Sequence, residues 1–268
     1  MNIISQQLLN RALKHYEAYK EKDFVLSPSL PILFFGDVEK YTKSTFRIMT
    51  AALNPSDMEF KEKKDSAPSN FRFPEFNGTP ESLEKSLSNY FREVPYDRWF
   101  GKKGAKNGFL PFLNGMGYSY YDEVGKDIAI HTDLCSPLAT NPTWSALNNT
   151  HRDQLSEQGF ELWKSLVVEL QPNLILMSLK KKHINLLKPT PIQVLETFKS
   201  KITGKRTPIK YELILYSITI KGFKTMLLWG SAQNTPLQPF ANKFELGKNI
   251  LAKIFNLKKI LNKNNSMD

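Results

Sequence analysis

Four apolar runs of this chain end on short polar segments, and those ends hold the side chains best suited to chemistry. "FRIMTAAL" (46–53) stops on Asn54-Pro55-Ser56. "DIAIHTDL" (127–134) carries His131, Thr132 and Asp133 and runs on into "CSPLATNPTW". "PNLILMS" (172–178) leads to Lys180, Lys181 and Lys182, and "FKTMLLWG" (223–230) leads into "SAQNTPLQ" with Gln233 and Asn234. A side-chain amide donates and accepts hydrogen bonds without being a strong base, and a carboxylate accepts from an amine or ring N–H. Each residue also has a plain structural reading. Asn-Pro is a common turn dipeptide, and aspartate caps helices. His131 shares a strand face with Asp133, because alternate residues point the same way. It either packs in the core or tunes that carboxylate.

These ends meet only if the elements before them form one sheet. Ile4, Leu8, Leu9, Ala12, Leu13 and Tyr16 mark an amphipathic helix over 3–20. "PILFFGD" (31–37) reads as an edge strand, and 46–53 as a buried one. Residues 61–80 are charged and then rich in Pro, Asn and Gly, a long loop of the kind that is functional or disordered. A helix is expected at about 81–92, followed by the aromatic stretch "YFREVPYDRWF". Next come a strand at 127–134, a helix at 151–170, a strand at 172–178 and a helix over "LKKKHINLL". Residues 211–230 read as a hairpin turning at Lys221-Gly222, and 239–257 as a last helix. Strands that are continuous apolar runs, alternating with helices, predict a three-layer α/β/α sandwich with a mainly parallel central sheet. In such sheets ligands bind beyond the carboxyl ends of the strands. Four polar, mostly proline-punctuated ends therefore imply one shared pocket.

Composition sets outer bounds. The 268 residues form one domain, with an insertion at 61–120 and a basic tail at 256–268. Thirty-seven Lys+Arg against 26 Asp+Glu give a net charge of +11, which favours polyanion partners such as nucleic acid. Cys135 is the single cysteine, so an internal disulfide and a four-cysteine iron–sulfur cluster are both excluded. No metal or other cofactor is implied. No apolar run approaches the ~20 residues of a membrane span, and the N-terminus has no signal-peptide core. A cytoplasmic monomer is expected.

In order and spacing, the four strand ends resemble the motifs of the uracil-DNA glycosylase superfamily, in its mismatch-specific and single-strand-selective branches. "LNPS" is similar to the family's G-[I/M]-N-P-G, and "HTDL" with "ATNPT" to its T-[D/N]-L-V…R-P-T segment. "LQPNLILMS" resembles the third strand, and "WGSAQNTPLQ" resembles H-P-S-P-L-S with Pro236-Leu237 as anchor. The resemblance spans roughly 31–255. Leu53 and Ser56 stand where the family has glycines, Gln233 stands where it commonly has histidine, and the insertion is long.

The resemblance implies a DNA glycosylase: an enzyme that holds a flipped base and hydrolyses its bond to the sugar. Asn54 would then place the water. Asp133 would meet the base or the cationic sugar, and Gln233 and Asn234 would donate to the departing base. Phe60 is the first choice to stack on that base, ahead of Phe71, Phe73, Phe76, Tyr96, Trp99 and Phe100. Ser56, His131 and Thr132 would line its pocket. Lys180, Lys181 and Lys182, with Ser231 and Thr235, would meet phosphates. The substrate would be uracil or a modified cytosine, in DNA repair or in defence against phage with modified DNA. Two other readings stay open: a non-catalytic nucleic-acid-binding protein on the same scaffold, and a small-molecule hydrolase acting on nucleosides.

Overall fold

A computed structural model describes residues 3–100, 108–199, 210–230, 236–237 and 240–264. In chain order its elements are α1 (Gln6–Tyr19), β1 (Phe34–Phe35), α2 (Val38–Lys43), β2 (Ile48–Ala52), α3 (Pro80–Asn89), α4 (Asp97–Phe100) and α5 (Leu110–Gly115). There follow β3 (Tyr118–Ser119), β4 (Asp127–Ile128), β5 (Ile130–Asp133), α6 (Asn149–Leu170), β6 (Leu174–Met177) and α7 (Lys181–Asn185). The chain closes with β7 (Thr190–Lys199), β8 (Lys210–Ile220), β9 (Phe223–Gly230) and α8 (Lys243–Asn264).

Seven strands form one sheet in the order β1-β5-β2-β6-β9-β8-β7. Its centre, β5-β2-β6-β9, is parallel. β1 joins β5 antiparallel at one edge, while β8 and β7 extend the other edge antiparallel. β2, β6 and β9 are mostly apolar, whereas β5 reads Ile-His-Thr-Asp; β5 and β6 are buried at every position. α6 covers one face and aromatic side chains, Phe100 of α4 among them, cover the other. Thr132 points at α6, where Trp163 Nε1 donates to its Oγ1 at 3.1 Å. His131, next along the strand and so on the opposite face, meets Phe35, Phe100 and Tyr120.

Several expectations need correction. The strand expected at 127–134 is broken at Ala129. Its first half pairs with β3 in a separate two-stranded sheet, and only Ile130–Asp133 enters the main one. The last helix runs on through Asn264, so residues 256–264 of the expected basic tail continue α8. The helix over "LKKKHINLL" has only five residues. β7 goes beyond the expected elements: Pro189 and Pro191 disguise it, although proline is tolerated on an edge strand. The β8–β9 hairpin turns at Lys221-Gly222, where both residues take positive φ (47° and 85°), the pattern of a type I′ turn.

The topology also places a crevice. The chain passes from β2 to β5 on one side and then returns across β2 to β6 and β9 on the other. Where the direction reverses, connections leave the carboxyl ends of neighbouring strands on opposite faces, opening a space between them. Here that space lies beyond the ends of β2 and β6, with β5 alongside.

Candidate active site at the strand ends

Ala52 pairs in register with Asp133, so Asn54 lies two residues past the partner of that carboxylate. The ladder continues beyond the strands: Leu134 N–H donates to Ala52 O and Cys135 N–H to Leu53 O, both at 2.9 Å. Asn54 is half-buried. Its Nδ2 donates to Pro55 O (3.0 Å), Leu138 O (3.4 Å) and Thr140 Oγ1 (3.4 Å), which ties the first strand end to the loop after the second. Its Oδ1 accepts no hydrogen bond among the described residues. The amide is thus oriented by its nitrogen, and its oxygen is left for something else.

α6 comes down onto this loop. A side chain at Gly159 would sit 2.2 Å from Cys135 O, so only glycine lets the helix approach so closely. The fourth strand end is drawn in by Leu237, whose N–H donates to Ser178 Oγ at 2.9 Å. Trp229 Nε1 also donates to Leu179 O at 2.7 Å. Gln233, Asn234, Ser231 and Thr235, expected at this end, lie outside the described residues.

Asp133 is the unusual group. It is 5% exposed, its side chain makes no hydrogen bond among the described residues, and its Oδ1 is sealed from solvent. An unpaired buried carboxylate is costly, because desolvation penalises its charge. Burial, and then the charge of Glu59, push its carboxyl well above the usual carboxylate range. Perturbed groups of this kind gather at functional sites.

Glu59 is a residue that sequence reasoning misses. It lies in a 3-10 turn, Asp57–Phe60, whose first N–H groups are capped by Ser56: Met58 N–H donates to Ser56 Oγ at 3.2 Å. Lys61 closes the turn on Asp57 at 2.9 Å. The turn carries Glu59 inward, where it is 2% exposed and accepts a hydrogen bond from Tyr90 O–H. Tyr90 in turn accepts from Tyr96 N–H at 2.8 Å. Burial lifts the Glu59 carboxyl to about 7, against the opposing pull of the Tyr90 hydrogen bond and the Arg72 guanidinium. Arg72 is itself buried and donates to Val94 O and, at 3.5 Å, to Lys61 O. The insertion therefore has a definite structural role, in which Arg72, Tyr90 and Tyr96 hold Glu59 against the strand ends.

The other expected pocket residues are placed differently. Phe60 is 0% exposed and packs on Phe73 (ring centroids 5.5 Å apart), so it belongs to the core and offers no face for stacking. Phe73 and Phe100 are buried too, whereas Phe71, Phe76, Tyr96 and Trp99 keep some surface. Among the described residues no hydrogen bond joins His131 to Asp133. Its Nδ1 lies 2.7 Å from Thr50 Oγ1, which lies 2.7 Å from Tyr120 O–H, and burial drives its pKa down to about 3. Thr132 is committed to Thr50 O and Trp163. Both side chains are structural, contrary to their expected place in the pocket. Ser56 caps its turn. Lys180, Lys181 and Lys182 are exposed, as phosphate contacts would have to be.

Cys135 and His183 do not form a nucleophilic pair. Sγ and Nδ1 are 3.9 Å apart, burial pushes the thiol up to about 12, and burial with neighbouring lysines lowers His183 to about 4. Both are neutral near pH 7, and the thiolate needed for attack is lacking. Among the described residues no group of His, Cys, Asp or Glu is arranged to hold a metal ion, and no helix is long and apolar enough to cross a membrane. A cavity of about 430 Å³, lined by Lys164, Leu187, Ser217 and Lys221 among others, lies at the hairpin turn, at the other end of the sheet from these groups. A scan against models of known protein families finds no match to this chain, and searches of curated proteins and of solved structures find none either.

Proposed function

We propose that the protein is a DNA glycosylase of the uracil-DNA glycosylase type, on a three-layer α/β/α fold, acting on uracil or a cytosine-type base held out of the stack. The observation that carries this reading is Asp133: a buried carboxyl with no protein partner among the described residues, at the carboxyl end of a central parallel strand, its register partner Ala52 two residues before an amide whose oxygen accepts no hydrogen bond among the described residues. Hydrolysis of an N-glycosidic bond passes through a cationic sugar, as in glycoside hydrolysis. It needs a placed water, a group facing the base, and little competing solvent. Asn54 Oδ1 supplies the first, Asp133 the second and the burial of the strand ends the third. The charge of +11 and the exposed Lys180–Lys182 run suit a phosphate backbone. Partly exposed Phe71 or Tyr96 takes the stacking role in place of Phe60.

The test is alkali cleavage over a panel of single- and double-stranded oligonucleotides carrying uracil, mismatched bases and hypermodified cytosines. Strand breaks at one base type support the reading. Salt-sensitive DNA binding without abasic sites on any member would favour a non-catalytic binding protein instead.

A further inference from the structure

We propose that the cavity at the β8–β9 hairpin turn binds a phosphate monoester carried on an apolar or planar group, of the kind a nucleoside monophosphate presents, at a site separate from the strand ends. The proposal does not depend on the glycosylase reading. The sheet itself makes the opening. β7 pairs with β8 only as far as Thr190, opposite Ser217, so Ile218–Ile220 have no ladder partner on their outer side among the described residues. An unpaired strand edge keeps N–H and C=O groups ready for another partner. α6 and the end of α7 wall this gap without closing it, and they leave about 430 Å³. That lies within the ~300–1,000 Å³ of small-molecule sites.

Charge selects the ligand. Lys164 from α6, Lys188 after α7 and Lys221 from the hairpin turn all line the cavity, and none of its lining residues is acidic. One nearby carboxylate, Glu161, holds two of the three. Lys164 is ion-paired to it, and Lys221 lies 3.4 Å from it while donating to Ser165 Oγ at 2.8 Å. Lys188 makes no ion pair among the described residues. Three ammonium groups against one carboxylate leave two positive charges. A phosphate monoester carries about −1.5 to −2 at pH 7, whereas each phosphate within a DNA strand carries a single charge. The match is with a terminal phosphate. Ser217 and Thr219 add hydroxyls that make no hydrogen bond among the described residues. Phe160 supplies a wall for the body of the ligand. Its ring is braced by Trp163, with centroids 6.2 Å apart and planes 10° from parallel, and the Lys164 ammonium lies 4.8 Å from its centre. Lys188 holds a positive φ of 47°, a conformation that costs energy for a residue with a side chain and that gathers at ligand clamps.

The experiment is calorimetric titration of the full chain at near-physiological salt with thymidine 5′-monophosphate, thymidine and inorganic phosphate, and with oligothymidylates bearing a 5′-phosphate or a 5′-hydroxyl. Lys188→Gln and Lys221→Gln each remove one charge from the cavity. Lys14→Gln with Lys43→Gln removes two from exposed positions elsewhere, and circular dichroism checks the folding of every variant. The monophosphate should bind at least about 10-fold more tightly than thymidine or phosphate, and each cavity variant should weaken it by about 10-fold. The control variant should change it by less than about two-fold, because distant exposed charges are screened. A preference for the 5′-phosphorylated oligonucleotide that is lost in the cavity variants supports the site with a strand end as the source of the phosphate. Equal affinity for the two oligonucleotides supports it with a free nucleotide as the source. No binding of the monophosphate, binding no tighter than that of thymidine or phosphate, or an equal loss in the control variant would overturn the proposal.

Discussion

His131 and Asp133 stand two residues apart on one face of β5. Around His131, Thr50 occupies Nδ1, Tyr120 bonds that same hydroxyl, Phe35 and Phe100 pack on the ring, and burial holds the imidazole neutral. Around Asp133 no described residue donates, and the nearest influence on its charge is another carboxylate. The histidine, which the sequence leaves between core packing and tuning of the carboxylate, proves to be core. The aspartate has an equally plain structural reading, as a cap, yet it caps nothing among the described residues. Residue type does not separate the two; the presence or absence of partners does. A buried polar group fully matched by its neighbours contributes to folding, and one left unmatched is costly there, which makes it the better mark of function.

That contrast can be broken most sharply at the strand ends. Asn54→Ala removes the atom assigned to the water and should lower single-turnover excision by about 10²-fold or more, with DNA affinity within a few-fold. Near-normal rates would return Asn54 to the role of a turn residue. Asp133→Asn keeps shape and removes the proton, so excision of cytosine-type bases should fall further than excision of uracil. Equal loss on both would shift Asp133 to the sugar cation or the water.

The burial of Glu59 and Asp133 should also be visible in stability. The folded pKa of Glu59, about 7, lies above its ordinary value of 4.5. The folded state therefore binds more protons, and stability falls as pH rises from about 4.5 to 7, by about 3 kcal/mol at most. Asp133, raised in the same direction, adds to that slope. Denaturant melts of Glu59→Gln should give a flatter profile over this window than wild type. A wild-type protein that gains stability across it would contradict the burial of both groups.

On the other side of the contrast, Thr50→Val strands His131 Nδ1 and Tyr120 O–H without their shared partner. It should cost about 1–3 kcal/mol in stability and leave the excision rate of the folded protein unchanged. A lost rate with unchanged stability would make His131 a site residue after all. The smallest effect is expected at the surface. Lys180→Ala with Lys182→Ala should weaken DNA binding uniformly across sequences, each lost phosphate contact reducing the log–log salt slope by about one. An unchanged slope would make this run a solvated face.

Much of the framework is legible in the sequence because the parallel strands are short apolar runs bounded by polar turns. "FRIMTAAL", "PNLILMS" and the Lys221-Gly222 hairpin fold as their patterns say. The positions of Asn54 and Asp133 at strand ends are readable for the same reason, since a strand that stops on a polar residue displays it at the sheet's edge. Glu59 is not readable. A glutamate in "SDMEFKEKK" looks solvated, and its burial is decided by Tyr90, 31 residues away, and by Arg72 in the insertion. β7 is hidden by its prolines, and the burial of Phe60 by packing against Phe73, which no local pattern announces.

The central claim is that the unpartnered carboxyl of Asp133 faces a base whose bond to the sugar is cut. The direct measurement is abasic-site formation by wild type, Asp133→Asn and Thr50→Val, each checked for folding by circular dichroism, on oligonucleotides carrying uracil or 5-hydroxymethylcytosine. Cleavage by wild type and Thr50→Val, with Asp133→Asn at least about 10²-fold slower on the cytosine-type base, is the predicted result. Equal rates for wild type and Asp133→Asn, or no abasic sites from folded wild type on either substrate, would contradict the account.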